Sequence, residues 1–339
     1  MQKYKTALIG FGKIASGYAR DTQMAKAFKY ATHVQVLAGH PQFSLEVVID
    51  PNEVALKEAK NNWGVLNAVT SAESFKYKDE IDVLILATPP EIRKQVIDSF
   101  PNLKGLMVEK PLATNFTSAK TFVADLGKKN LVVQVNLMRR ADEVTRQLAE
   151  GLLEREIGKP QAVFVVYGNG LLNNGTHMID LSRFFFGEVE SVQCVDSMSA
   201  FKEGPISEDI NFPFYLKMRS GLIVNFQPLK FSCYRENAMT IWGEGGRLEY
   251  LHGGATILKS GLSPNRIISD SLEVSCDIST KIESTLGESI YNMYSNLASC
   301  IVGEAELFSP LTSALRTAQV VDALFQSFSN DNRVVAIDA

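Results

Sequence analysis

The stretch ALIGFGKIA (residues 7–15) joins an apolar run to a glycine-containing turn, and it decides the fold class. Gly10, Gly12 and Ala15 match the G-x-G-x-x-A pattern of loops that bind dinucleotides. The first glycine permits a tight turn, the second lets the backbone approach a pyrophosphate, and the small third residue lets helix and strand pack closely. We predict a strand, a phosphate-binding loop and a helix whose N-terminus receives the phosphates. A tight strand–helix turn without a ligand is the alternative.

Outward from this loop, short apolar runs alternate with helical patterns through the first third of the chain. The runs are rich in Val, Ile and Leu, as in strands buried on both faces of a parallel sheet. They lie at residues 6–10, 45–50, 82–88, 103–109 and 131–136. The helical patterns lie at residues 52–64, 91–100 and 115–130. This alternation predicts a doubly wound α/β domain, a Rossmann fold.

Asp50 ends the predicted second strand in VVIDPN, where an acidic residue is expected to hold the ribose hydroxyls of the cofactor. It lies 40 positions after Gly10, whereas about 20 is usual. We therefore predict a long first helix, a second helical stretch and a loop in this crossover. A carboxylate repels a 2′-phosphate, which favours NAD over NADP. A turn Asp before Pro51 is the alternative.

The pattern changes after about residue 140. Helices are predicted over 143–160 and 177–187, and strands follow one another from 190 to about 260. Hairpin turns are expected at Ser220–Gly221 and Gly245–Gly246, which is typical of an antiparallel or mixed open sheet. We predict a Rossmann domain and then an α+β domain for substrate binding and oligomerisation. The predicted domains span residues 1–120 and 121–339, with the elements near 115–140 packing on the first domain as an open alternative.

The composition excludes several function classes. Net charge is −4 without an extended basic run, so we expect no nucleic-acid partner. No apolar run approaches the ~18 residues of a membrane span, and no leader pattern opens the sequence, so we expect a cytoplasmic protein. The four cysteines are far apart, which predicts free thiols and no metal site.

The stretch GLMVEKPLATN (residues 105–115) places Glu109 and Lys110 at the end of an apolar run, and Pro111 ends the strand. Buried charge is costly unless it is paired or used. The carboxyl end of a parallel strand opens onto the ligand crevice, so Lys110 can meet a substrate oxygen beside a nicotinamide. The Lys110–Pro111 bond is a candidate for cis. A surface ion pair in a loop is the alternative.

Four segments together resemble the Gfo/Idh/MocA family of oxidoreductases, over nearly the whole chain and in the family's order. They are the glycine loop at 10–15, ATPP at 87–90, VEKP at 108–111 and GNGLLNNGTHMIDLSRFFFG at 168–187. The resemblance implies a Rossmann domain followed by a domain with an open, mostly antiparallel sheet. It implies hydride transfer between NAD(P) and a carbinol or carbonyl carbon of a sugar, polyol or sugar derivative. It also implies that Lys110 binds substrate and that Glu109 lies at the cofactor.

His177 is the second catalytic candidate, because it opens an amphipathic helix after the turn NNGT and a dehydrogenase needs a proton acceptor. The family often reads D-x-G-x-H here, but this chain has Asn173 at the aspartate position. An amide cannot take a proton, so Lys110 and His177 compete as acid/base candidates. Two roles stay open for Asp180, which lies three residues after His177: it orients the His177 ring from the next helical turn, or it is structural. The other histidines, His33, His40 and His252, are expected to be solvated or structural.

The remaining candidates line the crevice. Arg139, in VNLMRR, suits an anionic substrate, although a solvated surface role is the alternative. The substrate-binding candidates are Asn169, Asn173 and Arg139. The cofactor-binding candidates are Gly10, Gly12, Lys13, Ile14, Asp50, Ala87, Thr88, Pro89, Glu109, Lys110 and Asn136.

Two other functions stay open at this point. One is a glycosidase of the same fold that uses tightly held NAD for transient oxidation. The other is a non-enzymatic dinucleotide-binding regulator, against which the intact VEKP and His177 argue. For every reading the resemblance implies a homodimer or homotetramer formed through the second-domain sheet.

Overall fold

The computed structural model describes residues 3–338, and its contacts divide the chain into two compact units. The first contains the chain up to Ala141 together with Gly287–Leu315, and the second contains Asp142–Leu286 and the residues from Arg316 onward. In this division the elements near 115–140 lie with the first unit, which is the alternative left open above. The physical reason is that residues 132–135 pair as a strand with residues 105–108 in the first unit.

The described part of the first unit contains one sheet of six parallel strands in the order β3-β2-β1-β4-β5-β6. This order is that of the Rossmann fold, so the doubly wound prediction is confirmed. The strands are β1 (Tyr4–Ile9), β2 (Phe43–Ile49), β3 (Asn67–Val69), β4 (Val83–Leu86), β5 (Gly105–Val108) and β6 (Val132–Val135).

The helices of the described residues follow the predicted patterns in most places. Asn52 caps the helix at 53–63 by accepting from the Val54 amide at 2.9 Å, and Gly64, at φ 65°, ends it in the left-handed region. None of these helices is both long and apolar enough to cross a bilayer. They are α1 (Met24–Ala27), α2 (His33–Gly39), α3 (Glu53–Trp63), α4 (Pro90–Asp98), α5 (Phe116–Gly127), α6 (Glu143–Gln147), α7 (Leu153–Ile157), α8 (Thr176–Phe186), α9 (Ser289–Ile301) and α10 (Leu311–Ser329).

The long first helix predicted after the glycine loop is wrong. The chain instead makes a 3-10 turn at Gly17–Arg20 and the short helix α1 before α2 begins. The main-chain bonds explain why: Gly12 and Lys13 accept from residues 16–18, but Ile14 and Ala15 accept from His33 and Val34 at 3.1 and 3.0 Å. The helix after the loop is thus interrupted by an excursion and resumed in α2, which also accounts for the long spacing to Asp50.

Over the described part of the second unit, nine strands form a mixed, mostly antiparallel sheet in the order β18-β15-β14-β13-β7-β12-β11-β8-β19. One face packs on apolar side chains of α8 and of residues 320–324. The predicted hairpins at residues 220–221 and 245–246 are confirmed. The strands of the unit are β7 (Pro160–Tyr167), β8 (Val189–Cys194), β9 (Phe201–Lys202), β10 (Ile210–Asn211), β11 (Phe214–Met218), β12 (Ile223–Pro228), β13 (Ala238–Gly243), β14 (Gly246–Leu251), β15 (Thr256–Ser260), β16 (Leu262–Pro264), β17 (Leu272–Val274), β18 (Thr280–Ile282) and β19 (Val335–Ala336).

Candidate active site

A cavity of about 510 Å³ opens at the carboxyl edge of β1, β2 and β4 in the first unit. It is built around the glycine loop. Gly10, at φ 85°, turns the chain where a Cβ atom would collide with the carbonyl of Ala87, so glycine is required there. A Cβ atom at Gly12 would meet no atom within 4 Å, so its backbone is open to a ligand.

Asp50 holds this loop in place from the end of β2. Its Oδ2 accepts the Phe11 amide at 2.6 Å, and its Oδ1 accepts the Asn52 amide at 2.8 Å. The carboxylate therefore lies against the glycine loop, at the edge of the same cavity. Six of the predicted cofactor residues line this cavity: Gly10, Gly12, Asp50, Ala87, Thr88 and Pro89. Lys13 is exposed and Ile14 is half-buried on the loop itself.

Eight buried side-chain polar atoms lack a hydrogen-bond partner within the described residues, and two of the eight belong to predicted cofactor residues. These two are Thr88 Oγ1, just after β4, and Asn136 Oδ1, just after β6. Unsatisfied buried acceptors are rare and point to a missing partner. The open loop, the cavity and these two atoms fit a nicotinamide dinucleotide, whose carboxamide could donate to Thr88 or Asn136.

Glu109 follows β5 and is only 8% exposed. Its Oε1 accepts from Asn136 Nδ2 at 2.5 Å and lies 3.0 Å from His33 Nε2. On the other side of the imidazole, His33 Nδ1 lies 2.9 Å from the Tyr294 hydroxyl. Burial alone would raise the pKa of Glu109, but the hydrogen bond and charge of His33 and the bond from Asn136 outweigh it and lower that pKa. Glu109 is thus held as a carboxylate at the carboxyl edge of the sheet.

His33, whose ring contacts Glu109, was not identified as a site residue from the sequence. His33 and His40 are both buried, so the solvated role is wrong for both and the structural one applies to His40. Burial, with the charge of Lys3, lowers the pKa of His40 to about 4. A signal existed for His33, because a buried carboxylate at 109 requires a donor. His252 is exposed at the end of β14.

Arg93 was also missed, because an arginine in a helical pattern normally reads as solvated. It lies on α4 and is 1% exposed. Its guanidinium donates to the carbonyls of Thr88, Pro111 and Leu112, with Nη2 and Nη1 at 2.8 Å from the first two oxygens. Lys110 lies in the chain between Glu109 and the carbonyls that Arg93 binds, and its bond to Pro111 is cis as predicted.

The second unit presents the other candidates around the start of α8. Asn173 donates from Nδ2 to the Asn169 carbonyl at 3.1 Å, which links two of the substrate candidates. Buried Asp209 accepts the amides of Leu172 and Asn173 at 3.0 and 3.1 Å. Burial raises the pKa of Asp209 against these bonds.

His177 is half-buried one residue inside α8. Asp180, on the same helix, is buried, accepts from Thr317 at 2.9 Å and lies 3.6 Å from Arg183. These bonds support the structural role for Asp180. Lys110, Asn136 and Arg139 belong to the first unit and His177 to the second, so the acid/base roles of Lys110 and His177 at one substrate stay a prediction.

The strand order and the glycine loop at the cavity define the first unit as a dinucleotide-binding Rossmann domain. Residues 4–137 match the family model for the NAD-binding Rossmann fold of Gfo/Idh/MocA oxidoreductases, and residues 168–337 match the model for their C-terminal alpha/beta domain. The chain belongs to the Gfo/Idh/MocA oxidoreductase family.

Individual relatives agree with this family. An inositol 2-dehydrogenase of Rhodococcus erythropolis is 33% identical over 133 residues, which is 34% of this chain and 38% of that protein. An oxidoreductase, P35, of Formosa agariphila is 26% identical over 75% of this chain and 83% of its own length. A levoglucosan dehydrogenase solved with NADH and levoglucosan superimposes with a TM-score of 0.74 at 16% identity, over 100% of both chains. At that identity the superposition shows the fold alone.

Proposed function

We propose that this oxidoreductase is an NAD-dependent dehydrogenase that acts on a CH–OH group of a polyol, sugar or sugar derivative. One observation carries the proposal: the cavity formed by the glycine loop and Asp50 shares its sheet edge with the end of β5, where Lys110 follows the buried Glu109. The names of the relatives, inositol 2-dehydrogenase and levoglucosan dehydrogenase, support the substrate class.

Bound NAD would supply the hydride acceptor. Asn136 and Thr88 would hold the nicotinamide carboxamide through their unsatisfied oxygens, and Gly12 would let the pyrophosphate approach the backbone. Lys110 orients the substrate hydroxyl and stabilises the negative charge that develops on its oxygen. His177 accepts the hydroxyl proton through a nitrogen of its imidazole ring. Asn173 and Asn169 hydrogen-bond the remaining hydroxyls, and Arg139 contacts an acidic substituent if the substrate has one.

Charge at the cavity favours NAD over NADP. Asp50 and Glu73 contribute carboxylates to the lining, and among the described residues no lysine or arginine lines it. A 2′-phosphate placed beside Asp50 would meet like charge without a cationic partner. This charge pattern supports NAD as the cofactor in the proposal.

The experiment is a screen for NADH formation with myo-inositol, levoglucosan, free sugars, uronates and nucleotide sugars, each with NAD and with NADP. Wild-type protein is compared with Lys110→Ala. The variant should lose most of its turnover, about 100-fold or more, because Lys110 acts on the developing charge, while its affinity for NADH stays within about twofold. Normal turnover in Lys110→Ala overturns the catalytic assignment. Hydrolysis of a glycoside without net NADH supports the glycosidase instead.

A further inference from the structure

Lys110 lies between two peptide units that are fixed by buried polar side chains. On the carboxyl side, Arg93 Nη1 donates to the Pro111 carbonyl at 2.8 Å and to that of Leu112 at 3.3 Å. The same guanidinium donates twice to the Thr88 carbonyl, at 2.8 Å from Nη2 and 3.2 Å from Nε. A single planar fork therefore ties the loop after β4 to the loop after β5.

On the amino side, the anchor is the Glu109 side chain. It is held by Asn136 at 2.5 Å and by His33 at 3.0 Å. His33 in turn is fixed by the hydroxyl of Tyr294 at 2.9 Å, and both His33 and Tyr294 are 0% exposed. With Glu109 ionised, His33 Nε2 carries a proton and donates to the carboxylate, and the hydroxyl of Tyr294 bonds the other ring nitrogen, Nδ1. The anchor thus reaches from β5 through α2 to α9.

Arg93 does not have the environment of an ordinary structural contact. The guanidinium of Arg93 is buried with main-chain carbonyls as its acceptors, and burying such a charge is costly. Burial lowers the pKa of Arg93 only to about 10, so it stays charged near neutral pH. Helix α4 could have been held to the sheet by an apolar residue at this position. What Arg93 adds is a defined geometry for carbonyls of the two loops that follow β4 and β5.

We propose that Arg93 and His33 are positioning residues that fix the backbone of Lys110, one from each side, so that its ammonium projects from a rigid base. This inference rests on the proposed function, because Lys110 is assigned there to the substrate oxygen. A lysine side chain is long and flexible. Its contribution to a transition state therefore depends on where its backbone is held, and a displacement of about 1 Å can cost about 100-fold in rate.

The first test measures the backbone without cofactor or substrate. Hydrogen–deuterium exchange is followed for the peptide covering residues 105–115 in wild type, Arg93→Lys, Arg93→Met, His33→Gln and His33→Leu. We expect faster exchange in this peptide for both Arg93 variants and for His33→Leu, because each loses an anchor. His33→Gln should restore much of the protection, since its amide can still donate to Glu109. The peptides of β1 and β4 should exchange as in wild type in every folded variant.

The second test is a double-mutant cycle with Lys110→Ala. In the wild-type background, Arg93→Lys and His33→Leu should lower kcat by about 10- to 100-fold, with NADH affinity unchanged. In the Lys110→Ala background the same substitutions should change the residual kcat by less than about twofold, because the group that they position is gone. A purely structural role would lower kcat equally in both backgrounds. His40→Gln, at a buried histidine directly after α2, and Lys94→Gln, at an exposed neighbour of Arg93, are the matched controls.

The outcomes separate the two proposals. Unchanged exchange at 105–115 in the folded Arg93 and His33 variants overturns the positioning role, and so do equal losses of kcat in both backgrounds. Full turnover in Lys110→Ala overturns the proposed function, whatever the exchange shows. If Arg93→Lys does not fold, the His33 pair of variants carries the exchange test and the cycle by itself.

Discussion

At the scale of single residues, the sequence motifs located the groups that terminate strands, but not the side chains that support them. Gly10 and Asp50 directly follow strands, and Lys110 comes two positions after the end of β5, so their positions at the sheet edge could be predicted from the local pattern. His33 and Arg93 could not, because their partners lie 76 and 18 or 19 positions away and depend on the paths of the crossovers. The helical pattern around Arg93 does not indicate which loop its guanidinium will contact.

Asp50 should discriminate between the two nicotinamide cofactors. In Asp50→Asn the repulsion of a 2′-phosphate is removed, a change on the order of 1–4 kcal/mol for charges about 4 Å apart. We expect the ratio of kcat/KM for NAD to that for NADP to fall at least about tenfold. The amide retains one acceptor for the Phe11 amide that Asp50 binds, so the loop should stay folded.

Steady-state kinetics with both cofactors check this expectation. Glu53→Gln is the matched control, because Glu53 is an exposed carboxylate in the first turn of α3. An unchanged ratio in Asp50→Asn would show that the carboxylate serves only the glycine loop.

Glu109 should make stability depend on pH in the acid range. Its folded-state pKa is lowered from the ordinary value, which is about 4.3 in an unfolded chain, by His33 and Asn136 against the cost of burial. The stabilisation is therefore fully present above that unfolded pKa and is lost as the pH falls through the lower folded pKa. Glu109→Gln should cost roughly 1–3 kcal/mol of unfolding free energy at pH 7, and the difference from wild type should shrink below about pH 4.

Urea unfolding of the two proteins at several pH values between 7 and 3 measures this difference. Glu80→Gln, an exposed carboxylate that pairs with Lys5, is the control and should behave like wild type at every pH. A gap between wild type and Glu109→Gln that stays constant down to pH 3 would contradict the assignment of an ionised, buried Glu109.

At the scale of elements, regular strands and helices were predictable and the first crossover was not. The alternation of apolar runs found all the parallel strands except the short β3, because three residues carry too little pattern. The crossover failed because its helix is discontinuous: the acceptors Ile14 and Ala15 are satisfied by residues of α2 rather than by the next turn of the chain. A local pattern cannot show that a helix resumes after an excursion.

The excursion should be removable without loss of the fold. The carbonyl of Lys13 accepts from the Tyr18 amide, and the next carbonyl, that of Ile14, accepts from the His33 amide. Deleting residues 19–32 and joining Tyr18 to His33 would therefore make these two donors neighbours in the chain. The deletion removes the stack of Tyr30 on Tyr291, whose ring centroids lie 4.9 Å apart. Because that contact buries an aromatic ring, we expect a loss of roughly 1–3 kcal/mol.

Circular dichroism and thermal unfolding of the shortened protein check the prediction, with NADH affinity as a second measurement. We expect one cooperative transition and retained binding. Tyr30→Ala in the full chain is the comparison, and it should account for most of the lost stability. A shortened protein without a cooperative transition would mean that the excursion is part of the folding core.

At the scale of the whole molecule, the sequence predicted two domains and their classes, while the division of the chain depends on long-range contacts. Residues 287–315 return to the first unit, where Gln134 of β6 donates to the Met293 carbonyl at 2.7 Å and Tyr294 reaches His33. The pattern of α9 shows an amphipathic helix, but it does not show which sheet the helix covers.

The outer face of the second-unit sheet should be the surface through which the protein self-associates. Phe164 on β7, Ile223 on β12 and Trp242 on β13 are 43%, 38% and 37% exposed, and each follows or precedes a buried residue of its own strand. Large apolar side chains gathered on one open face are typical of interaction sites. We therefore expect a dimer or tetramer, and we expect Phe164→Glu with Trp242→Glu to shift it to monomer, because two charges would be buried unpaired.

Light scattering after size-exclusion chromatography, over a range of protein concentrations, gives the mass directly. Tyr77→Glu places the same charge on an exposed aromatic residue of the first unit and should leave the mass unchanged. If the double variant keeps the wild-type mass, the interface lies elsewhere. If the wild type is a monomer at every concentration, the apolar face needs another explanation. A monomeric double variant that still binds NADH would show that the Rossmann cavity does not depend on assembly, since all of its lining residues come from one unit.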